Sequence, residues 1–182
     1  MDLDDAEIRA LGERGFFLRD GFLGPAAAEG VCAAARALAS AGELRPAGVR
    51  RGGGYRRDPT TRGDEIGWLA PADAPAGLRP LCERFEALRL GLNRDAYLGL
   101  VRFDVQLACY APDARYARHL DAFPGGPNRR LTAIYYLNAG WRPEHGGLLR
   151  LYLPDGPRDV EPVLDRLVGF RSDRIEHEVL AA

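Results

Sequence analysis

Lysine is absent from this sequence, and cysteine is scarce. All 25 basic residues among the 182 are arginines, so a single arginine is weak evidence of function. The three cysteines, Cys32, Cys82 and Cys109, are far apart and form no C-x-x-C pair. This spacing argues against a disulfide scaffold or a zinc finger and favours a reducing compartment, so we expect the protein in the cytoplasm.

An excess of positive charge and long apolar runs are also missing. The net charge is −1, which gives no electrostatic footprint for a nucleic acid. The acidic, amphipathic N-terminus is unlike a signal peptide, and acidic and basic residues interrupt the longest alanine-rich run, so we expect no membrane segment. A length of 182 residues predicts a single domain spanning 1–182.

The first half of the chain shows mainly helical patterns. We predict helices over residues 4–14, from Pro25 to about Gly42, and over residues 78–92, where leucines and a phenylalanine recur at spacings of three and four. Residues 16–18 predict a short strand. The glycine-rich, basic segment 52–61 predicts a long loop, which is either functional and mobile or an ordinary surface loop. Residues 1–95 therefore form a mainly helical support with one candidate substrate loop.

From residue 100 onward the period of the apolar residues changes from helical to two. Residues 101–110 alternate apolar and polar side chains, and turn residues separate the runs that follow. The further strands that we predict are 116–121, 131–137, 147–153, 160–163, 166–170 and 177–180. Several short strands at close spacing indicate a sandwich, a barrel or a jelly roll.

The three histidines are the first candidates for chemistry. His119 and Asp121 are two residues apart on a predicted strand, which points both side chains to one face. His177 lies on a later strand that a jelly roll can return beside the first. Two histidines and one carboxylate on one face of a metal ion are the ligand set of non-haem Fe(II) oxygenases. The spacing alone also fits a surface histidine on a strand, and His145, in a loop, carries no such pattern.

Several ordered motifs distinguish these readings. They are RGDEIGW (62–68), ACY (108–110), YARHLD (116–121), TAIYYLN (132–138), GGLLRLY (146–152) and SDRIEHEV (172–179). Together they resemble the Fe(II)/2-oxoglutarate-dependent prolyl 4-hydroxylase superfamily, and most of all its oxygen-sensing, hypoxia-factor type and the bacterial relatives of that type. The resemblance runs from about residue 60 to residue 180.

This resemblance implies a fold and a set of site residues. The fold is α+β, a double-stranded β-helix (jelly roll) with N-terminal helices packed on the outside of one sheet. The resemblance places iron on His119, Asp121 and His177. It places 2-oxoglutarate against Tyr136, whose phenol would bind the distal carboxylate. It places Tyr110 near the metal and makes Ile134 and Leu149 apolar walls of the 2-oxoglutarate pocket. It places the peptide substrate near Arg62, Asp64 and Arg129.

The implied activity is hydroxylation of a prolyl residue in a cytosolic protein, with release of succinate and CO₂. Fe(II) would be the cofactor, 2-oxoglutarate and O₂ the co-substrates, and ascorbate the reductant. Two alternatives remain open at this point: an oxygenase for a free amino acid or another small molecule, and a jelly-roll metal- or ligand-binding protein without turnover. The sequence does not indicate the oligomeric state.

One family feature has no counterpart in the sequence. In the resembled family an arginine on the strand after the distal histidine pairs with the 5-carboxylate of 2-oxoglutarate. The sequence ends at Ala182, only five residues after His177. We therefore expect the jelly-roll core of residues 96–182 to lack its last strand, as a truncated form of a longer protein would.

Overall fold

A computed structural model describes residues 3–49, 56–122 and 129–182 of the chain. Three α-helices and ten β-strands lie in these ranges. The helices are α1 (Asp5–Arg14), α2 (Pro25–Ser40) and α3 (Arg79–Asp95). The strands are β1 (Phe16–Asp20), β2 (Arg45–Pro46), β3 (Glu65–Leu69), β4 (Val105–Cys109), β5 (Tyr116–His119), β6 (Leu131–Tyr135), β7 (Leu149–Leu153), β8 (Gly156–Val160), β9 (Arg166–Arg171) and β10 (Glu176–Val179).

Local sequence explains where α1 begins and ends. Asp4 accepts a hydrogen bond from the backbone N–H of Glu7, and the Glu7 side chain accepts one from the backbone of Asp4, which is a capping box. Gly15 ends the helix in the left-handed conformation, with φ of 79°. The same glycine leads directly into β1, so α1 and β1 form a tight helix–strand corner.

The strands form three antiparallel sheets. Their orders are β1-β9-β6, β2-β3-β4 and β5-β10-β7-β8. In the last sheet β7 and β8 form a hairpin, whereas β10 lies between β5 and β7, two strands that are far from it in the chain, as in a jelly roll. The predicted return of the His177 strand to the side of the His119 strand is thereby confirmed.

The sheet β1-β9-β6 is covered on both faces. Phe17 and Leu167 point to a core that they share with the helices, which includes Leu81 of α3. Phe16 and Val168, the alternate residues, point to a second core between the sheets. The helices therefore pack on the outside of one sheet, as the resemblance implied.

Some predicted elements differ from the structure. The predicted strand 101–110 begins only at Val105, and the predicted strand 160–163 is wrong, because Val160 ends β8. Strands β2 and β3 were not predicted. Of the predicted loop 52–61, residues 52–55 lie outside the described residues. Among the helices that the structure describes, none has the length and apolar character needed to span a membrane.

Candidate active site

Strands β5 and β10 bring three candidate metal ligands together. His119 pairs with His177 across the ladder, and Asp121 follows β5 by two residues. The Nε2 atom of His119 lies 3.7 Å from Oδ1 of Asp121, and Nε2 of His177 lies 3.8 Å from Oδ2. One potential ligand atom from each residue falls within 4.8 Å of the other two. Within the described ranges, no other group of histidine, cysteine and acidic side chains meets this condition.

The tautomers of the two histidines suit a metal. Nδ1 of His119 lies 2.8 Å from the carbonyl oxygen of Ala117, and Nδ1 of His177 lies 3.4 Å from that of Ile175. A carbonyl oxygen only accepts, so each Nδ1 carries a proton, and the neutral form of each ring offers the lone pair of Nε2. Burial, together with the nearby His119, lowers the pKa of His177 to about 4. His177 is therefore neutral at pH 7.

The carboxylate of Asp121 is held by a chain of two hydroxyls, one on β6 and one in the turn after β9. Thr132 of β6 donates to Oδ2 at 2.6 Å, and the Thr132 hydroxyl lies 2.8 Å from that of the buried Ser172. Burial raises the pKa of Asp121, but its contacts with the imidazoles of His119 and His177 and the hydrogen bond from the Thr132 hydroxyl together hold it well below its usual range. Asp121 is therefore ionised at neutral pH and can supply a charged ligand oxygen.

A β-bulge adds a residue that the sequence did not reveal. Between the pairs His177–His119 and Val179–Tyr116, β5 has one residue more than β10. Tyr116 and His119 are three residues apart, a spacing that places side chains on opposite faces of a regular strand. With the extra residue they share a face, and their rings stack at 3.8 Å with 18° between the planes.

An open cavity of about 1700 Å³ lies over the three candidate ligands. Tyr110 and Tyr136 both line it. Burial raises the pKa of both phenols, so both stay protonated at neutral pH. No described residue accepts a hydrogen bond from either hydroxyl, which leaves two O–H donors available to a ligand.

The two predicted apolar wall residues differ in position. Ile134 lines the cavity beside Tyr136. Leu149 is only 1% exposed and packs in the core between the sheets, against which Ile134 and Tyr136 also pack. Leu149 therefore supports the wall from behind.

The three residues predicted near the substrate occupy different environments. Arg62 donates two hydrogen bonds to Asp64, at 2.7 and 2.9 Å, and the side chain of Asp64 is fully buried. Arg129 is one-third exposed and lies 3.7 Å from Oδ1 of Asp121. All three line the cavity, but only Arg62 and Arg129 keep exposed side-chain surface.

Two further residues complete the description of the cavity. Trp68 of β3 lines it and is 57% exposed, a high value for a tryptophan. His145 lies in a 3-10 turn at Pro143–His145, where its Nδ1 accepts a hydrogen bond from the backbone N–H of Arg142. His145 is not part of the ligand cluster. This position agrees with its lack of a pattern in the sequence.

The sequence and the fold are similar to those of known proteins. Residues 105–182 match the 2OG-Fe(II) oxygenase superfamily. The chain is 37% identical to human "Prolyl hydroxylase EGLN3" in an alignment that covers 94% of this chain and 75% of that protein. A Pseudomonas putida prolyl-4-hydroxylase superposes with a TM-score of 0.86 at 39% identity, covering 97% of this chain and 90% of that one.

A second solved structure adds a bound peptide. A Trichoplax adhaerens prolyl hydroxylase, in complex with a hypoxia inducible factor oxygen degradation domain peptide fragment, superposes with a TM-score of 0.84 at 28% identity. The match covers 97% of this chain and 81% of that one. The chain therefore belongs to the 2OG-Fe(II) oxygenase superfamily and, within it, to the prolyl hydroxylases related to EGLN3.

Proposed function

We propose that this protein hydroxylates a prolyl residue of a peptide or protein, with conversion of 2-oxoglutarate to succinate and CO₂. As a member of the superfamily it uses Fe(II), 2-oxoglutarate and O₂. The observation that carries the proposal is the cluster of His119, Asp121 and His177 beneath an open cavity. The chain that holds this cluster is 37% identical to a prolyl hydroxylase.

His119, Asp121 and His177 would hold the iron. The donor set fits, because it offers two imidazole Nε2 atoms, whose rings turn Nδ1 to a backbone carbonyl oxygen, and one ionised carboxylate. Three protein ligands leave coordination positions for the co-substrates. When bound, Fe(II) supplies the activation of dioxygen that the oxidation of 2-oxoglutarate and of the prolyl C–H bond requires.

Tyr136 and Tyr110 would bind the polar groups of 2-oxoglutarate. Both present protonated hydroxyls to the cavity, and a carboxylate accepts hydrogen bonds from such donors. Ile134 would contact the methylene groups of 2-oxoglutarate, and Leu149 would keep that wall rigid from the core side.

The open side of the cavity would take the substrate peptide. Trp68 offers an exposed aromatic face there, and Arg129 offers a cationic group beside the ligand cluster. We place Arg62 and Asp64 at the same side, where the exposed part of Arg62 is within reach of the substrate. The Trichoplax adhaerens relative, which holds a peptide fragment, supports a peptide as the substrate class.

The cytoplasm is the compartment that we propose. All three cysteines are free in the structure, and two of them are buried, as expected where thiols stay reduced.

Succinate release with and without peptide tests this function. The purified protein would be incubated with Fe(II), ascorbate, O₂ and 2-oxoglutarate, with the hypoxia inducible factor fragment or with that fragment carrying alanine for proline. We expect the proline peptide alone to gain one oxygen by mass spectrometry and to stimulate succinate release. Hydroxylation of a free amino acid instead, or no turnover with any substrate, would overturn the proposal.

Single alanine variants test the ligand set. We expect His119→Ala, Asp121→Ala and His177→Ala each to abolish turnover, because two ligands do not hold Fe(II) in a usable geometry. His145→Ala is the matched control and should keep activity. Loss of metal binding in His145→Ala with retention in His177→Ala would show that the ligand assignment is wrong.

A further inference from the structure

A chain of side-chain contacts runs from the segment before β3 to one candidate metal ligand. Asp64 is 2% exposed, and both of its oxygens accept hydrogen bonds from Arg62, at 2.7 and 2.9 Å. The Arg62 guanidinium lies over the ring of Tyr116, 4.5 Å from its centroid. Tyr116 in turn stacks on His119. The Nε2 atom of His119 faces Asp121.

The backbone fixes both partners of the central contact. Arg62 forms an isolated antiparallel bridge with Tyr116. On either side of that bridge, Gly63 N–H donates to the Arg115 carbonyl oxygen at 2.9 Å, and Ala117 N–H donates to that of Thr61 at 2.8 Å. The segment 61–63 is thus attached to β5 as a short extra strand. Its side chains have little freedom to move away from Tyr116.

The ion pair keeps the guanidinium in place. A buried carboxylate without a partner would be costly, so Asp64 holds Arg62 by two charge-assisted hydrogen bonds. Arg62 is then oriented over the aromatic ring, which attracts a cation to its face. Because the side chain of Asp64 is fully buried, direct contact between Asp64 and a substrate would need this side chain to become exposed.

The stack restrains a degree of freedom that the hydrogen bond of His119 leaves open. The Nδ1 contact with Ala117 selects the tautomer and one direction in the ring plane. Rotation of the ring about that direction would still move Nε2 off the metal position. Tyr116, almost parallel to the ring at 3.8 Å, opposes this rotation.

We propose that Tyr116, braced by the Arg62–Asp64 pair, is a positioning residue that fixes the ring plane of His119 for metal binding. The proposal rests on the assignment of His119 as an iron ligand under the proposed function. It gives Arg62 and Asp64 a role that acts through Tyr116, in addition to any contact of Arg62 with the peptide. Partners of this kind, which orient a ligand, typically change metal affinity ten- to hundredfold when lost.

Titration of the metal-free protein with Mn²⁺ tests the proposal without turnover. We expect Arg62→Gln and Tyr116→Leu to weaken Mn²⁺ binding by about ten- to hundredfold. Tyr116→Phe keeps the ring and should bind as the wild type does. Arg150→Gln is the matched control, because Arg150 donates two hydrogen bonds of 2.7 Å to Asp159 on strands that carry no ligand.

Imidazole NMR spectra of the metal-free protein give a second readout. The sequence has only three histidines, so their ring signals can be assigned by single variants. A ring stacked on an aromatic face has its proton signals shifted upfield. Tyr116→Leu should return the His119 signals downfield, Arg62→Gln should move them in the same direction by less, and those of His145 should stay unchanged.

The outcomes separate this proposal from the proposed function. Wild-type Mn²⁺ affinity in Arg62→Gln and Tyr116→Leu, with loss of binding in His119→Ala, would overturn the positioning role alone. Wild-type affinity in His119→Ala would instead overturn the ligand assignment. If Tyr116→Leu does not fold, Arg62→Gln alone tests the proposal. Unchanged Mn²⁺ binding by Arg62→Gln, together with a raised KM for the peptide, would show that Arg62 only contacts the substrate and would overturn the positioning role.

Discussion

The hydroxyl group of Thr132 makes two contacts at the candidate metal centre, one with Asp121 and one with Ser172. It donates to Oδ2 of Asp121 at 2.6 Å and lies 2.8 Å from the hydroxyl of Ser172, which can donate to it in turn. This arrangement satisfies one carboxylate oxygen and fixes the direction in which the other points. The hydroxyl is therefore important for the geometry of the ligand although it does not contact the metal position itself.

Thr132→Val removes this hydroxyl at nearly constant volume. We expect metal affinity to fall by about tenfold or more, because Asp121 loses its orienting donor and Ser172 loses its partner. Calorimetric titration with Mn²⁺ measures the change. Thr132→Ser keeps the hydroxyl and should restore most of the affinity; equal binding by the wild type and Thr132→Val would show that the hydroxyl does not orient the ligand.

Tyr136 offers a prediction that includes pH. Tyr136→Phe should raise the KM for 2-oxoglutarate by about tenfold to a hundredfold, because a hydrogen bond to a charged group contributes about 1.5–3 kcal/mol. Burial raises the pKa of the phenol, and only the protonated phenol donates. The KM of the wild type should therefore not rise between pH 7 and pH 10 through loss of this donor. A KM that rises through this range in the wild type, but not in Tyr136→Phe, would contradict the raised pKa of the phenol. An unchanged KM for 2-oxoglutarate in Tyr136→Phe at pH 7 would contradict the donor role.

At the scale of elements, the close contact of β1 and β9 shows how the sheet is packed. Phe17 pairs with Gly169, and a Cβ atom on Gly169 would lie 2.2–3.0 Å from atoms of the Phe17 ring. The glycine thus makes room for an aromatic side chain that helps to seal the core beneath the helices. Only the absence of a side chain on β9 allows this contact.

Gly169→Ala should therefore destabilise the protein by overpacking. We expect the free energy of unfolding to fall by about 1–3 kcal/mol, since the Phe17 ring must move out of its position. Denaturant unfolding of the single variants and of the double variant with Phe17→Leu measures the coupling. Gly169→Ala should lower the free energy of unfolding by less when position 17 is leucine than when it is phenylalanine. An equal loss in the two cases would show that the strain does not come from the Phe17 ring.

The elements also show which parts of the fold the sequence could predict. The helix predicted over 78–92 is present as Arg79–Asp95, because its apolar residues repeat at helical spacing and pack on one side. Strand β8 was missed because Gly156 and Pro157 resemble a turn. It is an edge strand, where proline and exposed charges are tolerated. Its pairing with β7, not its own pattern, makes it a strand.

The site was only partly predictable for a related reason. The approach of His119, Asp121 and His177 was expected from the resemblance to the prolyl 4-hydroxylase superfamily; from spacing alone, only the shared face of His119 and Asp121 could be predicted. Tyr116 was missed, because a β-bulge changes which side chains share a face and depends on the partner strand. The pairing of Arg62 with Asp64 depends on burial that no local pattern reports.

At the scale of the whole molecule, one buried carboxylate connects the segment before α2 with the sheets. Asp165, before β9, accepts hydrogen bonds from the backbone N–H groups of Leu23 and Gly24 at 2.7 and 2.9 Å, just before α2 begins. The hydroxyl of Tyr135 donates to it at 3.0 Å. Asp165 is 7% exposed and has a φ of 63°, a conformation in which aspartate and asparagine are the favoured non-glycine residues.

Asp165→Asn tests this connection without changing the backbone preference. Asparagine tolerates the positive φ, but it replaces one acceptor oxygen by a donor that would face an N–H group. We expect the free energy of unfolding to fall by about 2–4 kcal/mol, from the loss of one or two charge-assisted hydrogen bonds and an unpaired N–H. Hydrogen exchange should show the amides of Leu23 and Gly24 losing protection first, while the imidazole signals of the ligand cluster stay unchanged. Unaltered protection at Leu23 and Gly24 would mean that the packing of α2 against α3, rather than this carboxylate, holds the helices to the sheet.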